Sequence, residues 1–205
     1  MARAMLILAA AATLLAAGLP PAPAAAATPM EEVRRSVDAI FAVLRDSGLP
    51  LQEKKDKVSA LARERFDFQV MAQGVLATNW KKASDAEKAR FVELFSETLI
   101  GTYRERVDAY SDEEVKYLGE KTKGIRATVD TIVISDGVEI PMQYKVLQRG
   151  EKWLAYDIVI EGVSLLRNYR ESYRDIVKKE GMEGLLSQME RKIEEIKDSG
   201  ESGGK

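Results

Sequence analysis

Histidine and cysteine are both missing from this 205-residue chain. Without histidine there is no Ser-His or Cys-His nucleophile pair, no imidazole general base and no imidazole metal ligand, and most hydrolase chemistry falls with them. Carboxylates, lysines and tyrosines remain as catalytic groups, so enzyme activity would have to rest on those. The lack of cysteine excludes disulfides and attachment through a lipoprotein-type cysteine. Excess positive charge is lacking too: 31 Lys and Arg face 33 Asp and Glu, for a net charge of −2. Nucleic-acid binding rests on clustered Lys and Arg that neutralise phosphates, and this balance offers no such footprint.

The longest apolar run, Met5 to Ala17, has 13 residues and is too short for a hydrocarbon core about 30 Å thick. Arg3 precedes it, Pro20, Pro21 and Pro23 follow it, and the small residues Ala25 and Ala27 suit a cleavage site before Thr28. Residues 1–27 therefore read as a secretory signal peptide, residues 28–197 as one domain and residues 198–205 as a flexible tail. Processing would leave 178 residues with 30 basic and 33 acidic side chains. A chain of that size buries about 70% of its unfolded surface, enough for a core, or a core with a cavity, without disulfides.

Helical periodicity comes first. Val33, Val37, Ile40, Phe41 and Leu44 recur at helical spacing before Gly48 and Pro50, and a second helix fits Leu51 to Arg65. The apolar segment Phe66 to Trp80 predicts one or two brief helices interrupted near Gly74. Ser84-Asp85-Ala86-Glu87 has capping-box spacing and opens a helix predicted to reach Tyr110, with Phe91, Leu94, Phe95, Leu99, Tyr103 and Val107 on one face. The period then changes to two. Four strands are predicted between Glu114 and Ile160, with hairpin signals at Asp136-Gly137 and Arg149-Gly150 and an edge or bulge position at Pro141. Leu154, Tyr156, Ile158 and Ile160 are expected on one face of the fourth strand and Asp157 on the other. A last helical section from Val163 breaks near Gly181 to Gly184, with Val163, Leu166, Tyr169, Tyr173 and Ile176 inside and Arg167, Arg170, Arg174 and Lys178 outside.

The fold class is therefore α+β: a four-stranded curved antiparallel sheet with helices before and after it, closing as a partly NTF2-like cone around an apolar cavity. Periodicity alone does not distinguish an empty cone from one filled by Phe91, Phe95, Tyr103, Tyr144, Tyr156 and Tyr169 as an ordinary core. Three uses of such a cone stand side by side. It houses an isomerase or dehydratase with Asp157 as base and Tyr156 or Tyr144 as donor, it binds apolar polypeptide segments as a chaperone, or it carries an apolar cargo.

The stretch "WLAYDIVIEGVSLLRNYRESY", Trp153 to Tyr173, carries a resemblance that pattern does not. Its Tyr-Asp followed by Glu-Gly-Val-Ser before a helix is similar to the MlaC-type periplasmic phospholipid-binding proteins, also known as toluene-tolerance or ABC-transporter auxiliary proteins. The likeness continues through "NWKKASDAEKARFVELFSETLIGTY", "VEIPMQYKV" and "GMEGLLSQM" in the same order. The resemblance implies a carrier that moves phospholipid between the outer and inner membranes of Gram-negative bacteria. Acyl chains would lie inside the cavity and the headgroup outside, with the lipid as cargo and no cofactor or metal. It implies two docking partners, an outer-membrane lipoprotein of the MlaA type with a porin, and an inner-membrane ABC transporter whose MCE-domain subunit is of the MlaD type. A monomer is expected.

On that reading the acyl chains would meet Phe91, Phe95, Leu99, Tyr103 and Val107 of the long helix. Met142 and Tyr144, then Tyr156 and Ile158, would face them from the third and fourth strands, and Val163, Leu166 and Tyr169 from the last section. Arg167 and Arg170 are candidates for contact with the lipid phosphate or a partner. Gly162 is expected to permit the sharp strand-to-helix turn, and Ser164 or Glu161 to bond free N–H groups of the first helical turn.

Overall fold

Thr28 opens the first helix through a reciprocal cap: its hydroxyl accepts from Glu31 N at 3.2 Å while its own N–H donates to the Glu31 carboxylate at 2.8 Å. The computed structural model describes residues 27–109 and 113–202. The signal peptide expected at residues 1–27 lies outside the described residues except for Ala27, as does Tyr110.

Helices α1 (Pro29–Arg45) and α2 (Leu51–Arg65) pack against each other and lead to α3 (Phe68–Leu76), whose N-cap Asp67 accepts from Val70 N at 2.9 Å. Asp67 is buried and its other oxygen takes Arg149 Nε at 2.8 Å, tying α3 to the sheet. The break after α3 falls at Ala77, with φ 49°, and not at Gly74. Gly74 is needed for a different reason: a Cβ there would sit 2.8 Å from Leu166 Cδ2, so its bare backbone lets a later helix approach.

Helix α4 (Asp85–Arg104) starts at the Ser84–Glu87 capping box as expected but ends six residues before Tyr110. There the chain tightens to Arg106 N donating to Tyr103 O at 3.1 Å, followed by a short 3₁₀ turn, Val107–Ala109. Ion pairs from Arg104 to Asp56 and from Glu105 to Lys55 hold this end against α2.

The sheet is an open antiparallel meander in the order β1 (Glu114–Lys123), β2 (Arg126–Ser135), β3 (Val138–Arg149), β4 (Lys152–Ile160) and β5 (Val163–Ser164). Five strands replace the expected four, because the chain makes a two-residue hairpin at Glu161-Gly162, with φ of 49° and 82°, before its last helix. Beyond β5, the β4 edge is also met by Phe66, so neither end of that strand is left open. β3 is interior, yet β4 stops opposite Met142, which leaves Pro141 just past the paired stretch.

A bulge in β4 overturns one expectation. Lys145 pairs with Asp157 and Val146 with Ala155, so Tyr156 is an inserted residue and the face changes phase across it. Trp153 and Ala155 on one side of the bulge share a face with Ile158 and Ile160 on the other, whereas Leu154 and Tyr156 do not.

Helix α5 (Leu165–Ser202) closes the fold and is broken at Gly181, φ 73°, within the span expected. It continues to Ser202, into the segment whose composition reads as a tail. Two apolar clusters result. Met71, Phe91, Phe95, Leu166, Tyr173 and Leu185 fill the space among α3, α4 and α5, and Val33, Val37, Val129, Val146 and Trp153 fill that between α1 and the sheet. Phe66 touches both clusters.

Candidate functional site

A cavity of about 260 Å³ remains between the sheet and the helices. Its floor is the α1-side face of the sheet, Met142, Ile158 and Ile160, where Met142 and Ile160 are cross-strand partners. Ile40 of α1, Val58 and Ala62 of α2, and Phe66, Phe68 and Met71 supply one wall; Leu99, Ile100 and Tyr103 of α4 with Leu165 of α5 supply the other. The polar groups in the lining are the side chains of Ser59 and Arg104 and the Tyr103 hydroxyl. Ser59 Oγ already donates to Lys55 O at 2.6 Å, so it offers little to a ligand. Such a lining binds by excluding water and by dispersion, without directional chemistry.

The volume sets the scale. It exceeds the about 150 Å³ apolar cavity that admits benzene, and falls below the about 300–1,000 Å³ common for ligand sites. A wider groove of about 710 Å³ crosses the opposite face of the sheet, beside Leu118, Asp130, Gln143 and Val159. Gln143 donates to Asp130 there at 2.7 Å, and the groove is an open surface depression, not an enclosure.

Of the residues expected to meet acyl chains, Leu99, Tyr103, Met142 and Ile158 line the cavity together. Phe91 and Phe95 stack at 5.7 Å inside the helical core, where Tyr169 meets Phe95 edge-on at 5.5 Å and Leu166 is buried. Tyr156 packs on the same core, carried there by the bulge, with Arg126 over its ring. Tyr144 pairs with Ile158 but packs into the α1-side cluster near Tyr117, and burial pushes its hydroxyl up to about 12. Burial likewise raises Tyr169 and Tyr173. Val107 lies in the turn after α4 and outside the cavity wall. Val163 is 62% exposed in β5, because the added hairpin turns it away from the inner stripe of α5.

Arg167 and Arg170 lie away from this space. Arg170 Nε donates to Gly74 O at 2.8 Å and clasps α3 to α5, and Arg167 sits on the exposed side of the α5 start, its N–H bonded to Ser164 Oγ at 3.2 Å. Asp157 is off the cavity and 3% exposed. Its carboxylate accepts from Lys145 Nζ at 2.9 Å, Ser164 Oγ at 2.7 Å and Leu166 N at 3.1 Å, so Asp157 and Ser164 cap α5 together.

Sequence reasoning missed Ile40, Val58, Ala62, Phe66, Phe68, Met71, Ile100, Ile160 and Leu165 as cavity walls. Ile40, Phe66, Phe68 and Met71 stood within recognised apolar segments; Val58 and Ala62, one turn apart on a strongly polar helix with Leu61 beside them, gave only a weak signal.

A family profile described as the MlaC protein matches residues 34–191. The chain is 22% identical over 174 residues to the intermembrane phospholipid transport system binding protein MlaC of Haemophilus influenzae, covering 80% of this chain and 81% of that protein. It shares its fold with a solved structure of a phospholipid-binding protein from Ralstonia solanacearum in complex with a phospholipid. The TM-score is 0.75 at 22% identity, covering 83% of this chain and 99% of that one. Among the described residues no helix is long and apolar enough to cross a membrane. With the profile running over most of its length, the chain belongs to the MlaC family.

Proposed function

We propose that this protein is a periplasmic phospholipid carrier that takes acyl chain into the cavity between sheet and helices and delivers it between membrane-bound transport complexes. The observation that carries the reading is the cavity itself, walled by aliphatic and aromatic side chains from α1, α2, α3, α4, the sheet and α5. Transfer of each methylene from water to such a space is worth about 0.8 kcal/mol, so a diacyl lipid crossing water unprotected faces a cost on the order of 20 kcal/mol. The donor is a bilayer, and bilayer and pocket are similarly apolar. Loading and release then need only small differences in free energy, which contact with a partner can supply.

The cavity volume sets a condition on loading: a two-chain lipid enters as sheet and helices part. The relatives named for phospholipid transport and phospholipid binding support the cargo. The MlaA-type lipoprotein with its porin and the MlaD-type MCE subunit belong to the proposal as docking partners, through family resemblance. Asp157, saturated by Lys145, Ser164 and Leu166, serves the fold in this reading, which draws on no catalytic group. Native mass spectrometry of the purified protein tests it. Protein leaving the column with one diacyl phospholipid per chain is the expected result, and protein that carries none and takes none from vesicles contradicts it.

A further inference from the structure

The cavity between sheet and helices has two unlike ends. Of the residues lining it Tyr103 alone is exposed, at 43%, so the space reaches solvent at the end of α4. Arg104, next in the chain, pairs with Asp56, which sets that mouth against the first half of α2. From there the α2 wall runs inward through Val58 and Ala62 to Phe66, the residue that caps the helix. Val58 and Phe66 are eight residues apart, about 12 Å along a helix. The sheet gives the same direction. Phe66 bridges to Ala155, while Ile158 and Ile160, farther along β4, floor the cavity. Ala155 belongs to the cluster between α1 and the sheet, so the empty space stops where that cluster begins.

Phe66 stands at this boundary. It lines the cavity and packs against both apolar clusters, and the Phe68 ring, 6.0 Å away, completes the end wall. The backbone here is held on both sides: Phe66 N donates to Ala62 O at 3.1 Å, and Asp67 N to Ala155 O at 2.8 Å. A ring on so pinned a backbone is a fixed stop, unlike Met71, whose unbranched side chain adapts. Length and volume agree on what fits before it. A zigzag of C–C bonds of about 1.5 Å covers about 12 Å in about ten carbons. A cavity of about 150 Å³ admits the six carbons of benzene, and on that scale 260 Å³ also admits about ten.

We propose that Phe66 is the residue that limits acyl-chain length: its ring closes the blind end, and the resting cavity shelters about ten terminal carbons of one chain. The proposal rests on the carrier reading above and adds what sets chain selectivity. Longer chains are sheltered only as the walls part, so each methylene past the stop gains less than those before it.

Lysophosphatidylcholines with chains of about eight to sixteen carbons, titrated below their micelle concentrations into lipid-free protein, provide the test. In wild type, affinity is expected to rise about fourfold per methylene up to about ten carbons, and less than about twofold per methylene beyond. Phe66→Ala removes a phenyl ring and is expected to move that break outward by about four to six carbons. The ligand of about fourteen carbons then binds about tenfold tighter or more, and that of about eight carbons stays within about twofold. Should the alanine variant fail to fold, Phe66→Leu, which keeps the site apolar and largely filled, is expected to move the break outward by about one or two carbons. A wild-type affinity that climbs evenly through about sixteen carbons overturns the proposal, as does a break that stays in place in the folded variants. Uptake of diacyl lipid from phosphatidylglycerol vesicles, with no lysolipid bound at any length, overturns the stop alone. If wild type binds neither lysolipid nor vesicle lipid, the carrier reading fails and the stop with it.

Discussion

Asp157 Oδ2 accepts a hydrogen bond from Ser164 Oγ at 2.7 Å across the Glu161-Gly162 hairpin. Its Oδ1 accepts from Leu166 N at 3.1 Å, so one buried carboxylate fixes the end of β4, the turn and the first turn of α5. This explains why a strand runs so abruptly into a helix here: the turn aims Leu166 at the Gly74 backbone and Leu165 at the cavity.

Asp157→Asn keeps the size but replaces an acceptor by an NH₂ that faces donors. A loss of about 1–3 kcal/mol in unfolding free energy is expected, read from the urea midpoint. An unchanged midpoint would remove the carboxylate from its anchoring role.

The approach of α5 to α3 depends on the missing side chain at Gly74. Gly74→Ala forces Leu166, and Leu166→Ala empties a buried position at a cost of about 2–5 kcal/mol. The double variant is expected to be more stable than the sum of the singles by about 1–3 kcal/mol, because the smaller residue admits the new methyl group. Strict additivity in denaturant melts would show that the two positions do not press on each other.

Ala62 lines the cavity from α2. Ala62→Leu adds apolar atoms to empty space, so the lipid-free protein is expected to gain about 0.5–2 kcal/mol. Lipid uptake should fall at the same time. A variant that binds lipid as well as wild type would place the acyl chain elsewhere.

The response to pH follows from burial and from the missing histidines. Burial pushes Tyr144 up to about 12, and burial, then the Asp38 carboxylate, pushes Tyr117 up to about 12 against the opposing Arg34 guanidinium. Unfolded tyrosines ionise near about 10, so above that pH the unfolded chain sheds protons that the folded chain keeps. The stability of these neutral hydroxyls is complete below about pH 10 and is lost as pH rises through about 12. Tyr144→Phe should flatten that decline in pH-dependent urea melts. Tyrosinate absorbance appearing while the protein is still folded, with every tyrosine ionising near its ordinary value, would contradict the burial.

Much of this fold is legible in the sequence because single periods mark it. The α4 stripe, the capping box at Ser84 and the hairpin at Asp136-Gly137 are local signals, and each corresponds to an observed element. The bulge at Tyr156 is not local: it depends on how β4 meets Lys145 and Val146 of β3, and it moves Tyr156 from the expected cavity face to the helical core. Periodicity also assigned Phe91 and Phe95 correctly to an inner face but could not tell which inner face meets empty space. That distinction arises only when α2, whose sequence is mostly charged, lays Val58 and Ala62 over the sheet.

The location of the acyl chain is tested most directly by a phospholipid carrying a photoreactive diazirine along one chain, loaded from vesicles, irradiated, and mapped by peptide mass spectrometry. Adducts are expected on cavity walls, above all Leu99, Tyr103, Met142 and Ile158. Adducts confined to the opposite face of the sheet, around Leu118 and Val159, would contradict the cavity as the lipid site.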